Sequence, residues 1–195
     1  MADSPRSFLF LLGSSRTGGN TETLARAAAE HLEPEAEQRW LRLAELDLPP
    51  FTDRRHVGDG ATPVAAGAER TVQDATLAAT DLVIASPLYW YSVSGSVKNY
   101  LDHWSGWLRV PGLDFRARMG GRRLWGVTVQ GDEEPDVAAP LAGTLRLSAE
   151  YMGMEWRGVL LGSGSRPGQV LRDERALAAA KTFFDPAADT PGIRY

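Results

Sequence analysis

The chain has 195 residues, a net charge of −4 and no cysteine, with 43% hydrophobic and 24% charged side chains. That length and apolar content suit one domain, and the lack of cysteine excludes disulfides, thiolate nucleophiles and cysteine-held zinc or iron–sulfur centres. Charges of both signs are interspersed, so no cationic face for nucleic acid is expected, and no apolar run approaches the roughly 20 residues of a membrane span.

Phe8–Leu12 is short and wholly apolar, the pattern of a strand buried on both faces. It is too short for the apolar core of a secretion signal, so a cytoplasmic protein is expected. Beyond Gly13 and a small-residue loop, a helix is predicted from Asn20, with Leu24, Ala28 and Leu32 on one face and Pro34 closing it. Gln38–Leu43 reads as a second strand, and residues 47–60, with their prolines and glycines, as a surface loop. Thr62-Pro63 has the form of an N-cap and a first-turn proline, which predicts a helix carrying Val64, Ala68, Val72, Ala75 and Ala79. Leu82–Ala85 is a third strand, and Ser94 opens a helix with Val97, Leu101, Trp104 and Leu108 on one side. Leu124–Val129 is a fourth strand, and a helix over 137–152 ends at Gly153. Met154–Leu161 is a fifth strand, Asp173 caps a last helix through Phe184, and 185–195 form an irregular tail with Pro186 and Pro191.

Strands alternating with helices imply a parallel sheet covered on both faces. One domain over residues 1–195 fits an α/β flavodoxin-like three-layer sandwich with strand order 2-1-3-4-5, whose ligands sit at the C-terminal ends of the strands. Three loops fall there. Gly13-Ser14-Ser15-Arg16-Thr17-Gly18-Gly19-Asn20-Thr21 joins a buried strand to a helix N-terminus, where free N–H groups, hydroxyls and a guanidinium suit a phosphate. Gly19 stands where a triphosphate loop needs lysine, and no GxGxxG is present. Ser86-Pro87-Leu88-Tyr89-Trp90-Tyr91-Ser92 puts three aromatics on a short connection that cannot all enter a core, which suits a flat aromatic ligand or a protein contact. Gln130-Gly131-Asp132 offers an amide, backbone N–H groups and a carboxylate. His31, His56 and His103 lie far apart in sequence and lack metal-ligand spacing, and no Gly-x-Ser-x-Gly elbow follows a strand.

The first loop, Ser86-Pro87-Leu88-Tyr89-Trp90 and the following Ser94-Gly95-Ser96-Val97-Lys98-Asn99-Tyr100-Leu101-Asp102 together resemble the NADPH-dependent FMN reductase family. The resemblance implies non-covalent FMN, NAD(P)H as co-substrate, and assembly as a homodimer or homotetramer. It implies that Ser14, Arg16, Gly19, Asn20 and Thr21 hold the FMN phosphate. Pro87, Leu88, Tyr89, Trp90 and Tyr91 would border the isoalloxazine ring and ribityl chain, with Gln130, Gly131 and Asp132 in the third flavin loop. The implied reaction is ping-pong: hydride to FMN, then electrons to free flavin, a quinone or another small acceptor, with no side chain assigned as acid or base. The rival reading is a non-enzymatic flavodoxin-type electron carrier. Trp104 and Trp107 would be subunit-contact candidates, and Arg166, in the glycine-rich 162–168 segment read as a loop, a candidate for touching a pyridine nucleotide or a neighbouring subunit.

Overall fold

The computed structural model describes residues 5–131 and 134–187. A five-stranded parallel sheet runs β2-β1-β3-β4-β5, built from β1 (Ser7–Leu12), β2 (Glu37–Arg42), β3 (Asp81–Ala85), β4 (Arg123–Gln130) and β5 (Glu155–Ser163). Around it lie α1 (Asn20–Ala29), α2 (Gly67–Ala78), α3 (Gly95–Trp107), α4 (Phe115–Met119), α5 (Ala139–Tyr151) and α6 (Glu174–Ala180). The strand order is the expected one.

Strand alternation sorts the apolar residues into two cores. Phe8, Phe10, Leu12, Val83 and Trp125 meet Leu24 and Ala28 of α1 and Ala176 and Ala180 of α6. Leu9, Leu11, Leu82, Ile84 and Leu124 meet α2, α3, α4 and α5 on the opposite face. Trp104 and Trp107 belong to this second core, Trp107 fully buried and edge-on to Phe115 at 5.2 Å. They fill the monomer and are not exposed subunit contacts.

Several boundaries differ from the sequence reading for identifiable reasons. The second helix begins at Gly67, not at Thr62, because the Thr62 N–H donates to the Arg109 carbonyl at 3.1 Å and holds that segment extended. Val64 is accordingly exposed. α1 ends at Ala29 and α6 at Ala180, each followed by turns, and β5 takes in Gly162 and Ser163. The unpredicted α4 is a single short helix whose Phe115 and Met119, four apart, both enter the core. The 47–51 part of the surface loop is fastened to α3. There the Asn99 amide donates to the Pro49 carbonyl at 3.0 Å, and His103 Nε2 lies 2.9 Å from the same oxygen. Among the described residues no helix is long and apolar enough to cross a membrane.

Candidate functional site

The C-terminal strand ends bring the three loops together and lace them by main-chain bonds. Gly13 N–H donates to Ala85 O at 2.8 Å, Ser86 N–H to Val127 O at 3.0 Å, and Gly164 N–H to Gln130 O at 2.8 Å. The β1–α1 loop is thus fixed to the β3 and β4 ends before any ligand is considered.

In that loop the chain turns at Gly18, with φ of 66°, a left-handed conformation that suits glycine. Gly19 is the N-cap of α1, and no side chain caps this helix, so its first-turn N–H groups and the positive end of its dipole stay available to an anion. Ser14 is buried; its Oγ accepts the Arg16 N–H at 3.0 Å and keeps its own proton free to donate. The exposed Arg16 side chain has no polar partner among the described residues. Thr21 is buried in the first turn. Asn20 behaves differently from its neighbours: its amide nitrogen donates to the Gly164 and Arg166 carbonyls at 3.0 and 2.8 Å, tying the loop to the segment after β5. Its Oδ1 is buried without a partner among the described residues.

Beneath the loop lies a group the sequence reading missed. The buried Glu22 accepts the Gly18 N–H at 2.9 Å, Arg42 at 2.7 Å and Arg26 at 2.8 Å. Arg42 also donates to the Arg16 carbonyl at 3.1 Å. Burial alone would raise the Glu22 pKa, but the hydrogen bonds from Arg42, Gly18 and Arg26 outweigh it and leave the carboxyl below its ordinary value. A glutamate in the first helical turn with arginine four residues on was the available signal.

The second loop is a two-residue hairpin. Tyr89 and Ser92 exchange N–H···O bonds of 3.1 and 3.0 Å, and Trp90 and Tyr91 between them have φ of 49° and 62°. Two positive φ values define a turn that favours Asn-Gly; bulky aromatics there are strained. Trp90 is 91% exposed, and Tyr89 and Tyr91 are also exposed. Pro87 and Leu88 are half-buried, Leu88 against the core. Replacing Trp90-Tyr91 by Asn-Gly should raise the unfolding free energy by about 1 kcal/mol or more, read from denaturant titration. In the third loop Gln130 is buried, its amide donating to the Glu134 carbonyl at 2.8 Å, and Gly131 is exposed. Asp132 lies outside the described residues.

The arrangement defines a doubly wound α/β protein with an uncapped helix N-terminus at the β1–α1 turn and exposed aromatics at the β3 end. The profile of the NADPH-dependent FMN reductase family matches residues 7–134, and the chain belongs to that family. It is therefore an FMN-containing oxidoreductase with NAD(P)H as co-substrate. A Bacillus subtilis (strain 168) protein named as a candidate NAD(P)H-dependent FMN-containing oxidoreductase, YwqN, is 34% identical over 173 residues, covering 88% of this chain and 93% of its own. The Trp repressor binding protein structure from Bacillus subtilis aligns with TM-score 0.72 and 29% identity, over 93% of this chain and 99% of that one. An NAD(P)H:quinone oxidoreductase from Methanothermobacter marburgensis shares the fold, with TM-score 0.65 and 16% identity over 91% of this chain and 94% of its own.

Proposed function

We propose that this protein moves electrons from NAD(P)H, by way of FMN held at the ends of β1, β3 and β4, to a small diffusible acceptor such as free flavin or a quinone. The observation that carries the reading is the uncapped, glycine-started α1, with the Ser14 hydroxyl and the unpartnered Arg16 guanidinium in its loop. That donor set matches a phosphate dianion. The buried Asn20 Oδ1 fits as well, since it is an acceptor without a donor and a ribityl chain offers hydroxyls.

The chemistry FMN supplies when bound is acceptance of hydride and delivery of the electrons onward. The chain's own part is to bind and orient. Ser14, Arg16 and the N–H groups of Gly19, Asn20 and Thr21 neutralise the phosphate. Pro87, Leu88, Tyr89, Trp90 and Tyr91 supply an apolar wall for a flat ring. Backbone N–H groups around Gln130 and Gly131 would stabilise negative charge on the ring edge nearest that loop. The protein is taken to work in the cytoplasm as a homodimer or homotetramer. With Trp104 and Trp107 buried, exposed Leu147 and Tyr151 of α5 become the contact candidates.

The test is to purify the protein, record its visible spectrum, and follow NADH and NADPH oxidation with added flavin or quinone. Colourless protein that FMN cannot reconstitute would overturn the reading, and bound flavin that neither nucleotide reduces would favour an electron carrier. Arg16→Ala should weaken FMN binding by about 1.5–3 kcal/mol in a fluorescence-quenching titration, the scale of a hydrogen bond to a charged group. The stabilised Asn-Gly hairpin variant should retain less flavin, having lost its aromatic wall.

A further inference from the structure

At and past the third loop, two cavities of about 380 and 400 Å³ share Gln169 and Arg172, and apart from Gln130 their lining lies outside the residues the family profile covers. Gln130 lines the first, so the cleft begins at the third flavin loop, and Arg166, Arg172 and Arg175 line it beyond. All three guanidinium groups are exposed and none has an ion pair or hydrogen bond among the described residues; Arg16, Arg39 and Arg54 are likewise exposed and unpaired, and what sets Arg166, Arg172 and Arg175 apart is that they line one cleft. The one acid in the lining, Asp173, accepts the Ser163 and Ala176 N–H groups at 2.8 and 2.9 Å. Its charge is held by the backbone rather than by the arginines.

The cleft wall is also built to hold its shape. Gln169 Oε1 accepts the Ser165 and Arg166 N–H groups at 3.0 and 3.1 Å, and Gly168 turns the chain at φ of 75°. The Asn20 amide grips the Arg166 carbonyl at 2.8 Å, fixing that residue to the start of α1. Three unneutralised guanidinium groups along a preformed cleft favour an anion, and their fork geometry matches phosphate oxygens two at a time. The volumes fall in the range of small-ligand sites.

We propose that this cleft is a second phosphate subsite, which binds the phosphomonoester of the diffusible nucleotide substrate. The proposal rests on the reading above, because the resident FMN phosphate is assigned to α1 and a second phosphate then belongs to a second nucleotide. Two substrates of the proposed reaction carry that group: NADPH, on its 2′-oxygen, and free FMN as acceptor, on its 5′-oxygen.

The experiment is calorimetry on FMN-loaded protein with two matched pairs: 2′,5′-ADP against 5′-AMP, and added FMN against riboflavin. At least one phosphorylated partner should bind about tenfold tighter than its control, the scale of one lost charge-assisted contact. Arg172→Ala, which touches both cavities, should erase that advantage and Arg166→Ala should reduce it, while Arg39→Ala, removing the same charge from exposed β2, should leave it intact. An advantage in the adenosine pair assigns the subsite to the pyridine nucleotide, and one in the flavin pair assigns it to the acceptor. No advantage in either pair, or one that survives loss of Arg166 and Arg172 together, overturns the proposal. Failure of the proposed function shows separately, as protein without a flavin spectrum; the adenosine pair then still tests the cleft on the flavin-free chain.

Discussion

Glu22→Gln is expected to destabilise the fold by about 3 kcal/mol and to loosen FMN together with it. The carboxylate holds three donors at once: the Gly18 N–H, Arg42 and Arg26. An amide of the same size keeps the packing but turns one acceptor into a donor aimed among cations. Arg42 is the costly partner, because its side chain is only 10% exposed and the Glu22 side chain 6%. Breaking one member of a buried pair typically costs about 3–5 kcal/mol. Arg26 is half exposed and rehydrates, and Arg42 keeps Glu45 at 3.0 Å, so the low end applies. Urea titration should show a lower midpoint at unchanged slope. Loss of flavin affinity follows because Gly18 and the Arg16 carbonyl are both held by this pair. A change below about 1 kcal/mol would overturn this expectation, because the exposed Glu45 already pairs with Arg42 and such a pair restores no more than about 1 kcal/mol.

The same carboxylate sets a pH dependence. Its native pKa lies below the ordinary value of 4.5, so its contribution is complete above that value and is lost as pH falls through the native one. Stability of the wild type and Glu22→Gln should therefore differ most at neutral pH and converge below pH 4.5. Measurement on flavin-free protein isolates this effect from titration of the phosphate. Curves that stay parallel down through that range would remove Glu22 from the acid response.

The sheet was legible because its inner strands β1, β3 and β4 are buried on both faces, and a wholly apolar run such as Phe8–Leu12 or Leu82–Ala85 leaves few alternatives. The β1–α1 loop was singled out as a phosphate candidate for a local reason: glycines, hydroxyls and an arginine stand between a strand and a helix. What escaped was decided by tertiary contacts. Thr62-Pro63 has sound cap chemistry, yet the Arg109 carbonyl takes the Thr62 N–H and the helix starts at Gly67. Asn20 was expected to hold a phosphate, but the segment after β5 claims its amide nitrogen. Exposed aromatics at Trp90 and Tyr91 were foreseen from composition, whereas their left-handed backbone depends on Tyr89 pairing with Ser92. The arginine cleft is assembled from position 166 in a loop, 172 at the end of a short helical turn and 175 in α6, segments whose meeting no single sequence period encodes.

Gly13→Ala should cost about 2–3 kcal/mol, the upper range for overpacking, and should weaken FMN binding as well. A Cβ at this position would stand 2.4 Å from Val97 Cγ2 and 2.7 Å from Ser94 Oγ, so something must move. None of the neighbours yields easily. Val97 is fully buried, and Ser94 is the N-cap of α3, its Oγ accepting the Val97 N–H. Gly13 cannot slide either: its N–H donates to Ala85 at 2.8 Å and its carbonyl accepts the Ser96 hydroxyl at 3.0 Å. The strain is relieved only by parting the end of β1 from the start of α3. That separates the phosphate loop from the aromatic hairpin, the two halves of the proposed flavin site. Val97→Ala removes the nearest clashing atom, so the Gly13→Ala/Val97→Ala pair should lose less than the sum of its single losses, by about 1 kcal/mol or more. Additive losses in that cycle would show that Ser94, not Val97, sets the spacing, and Ser94→Gly would then be the rescuing partner.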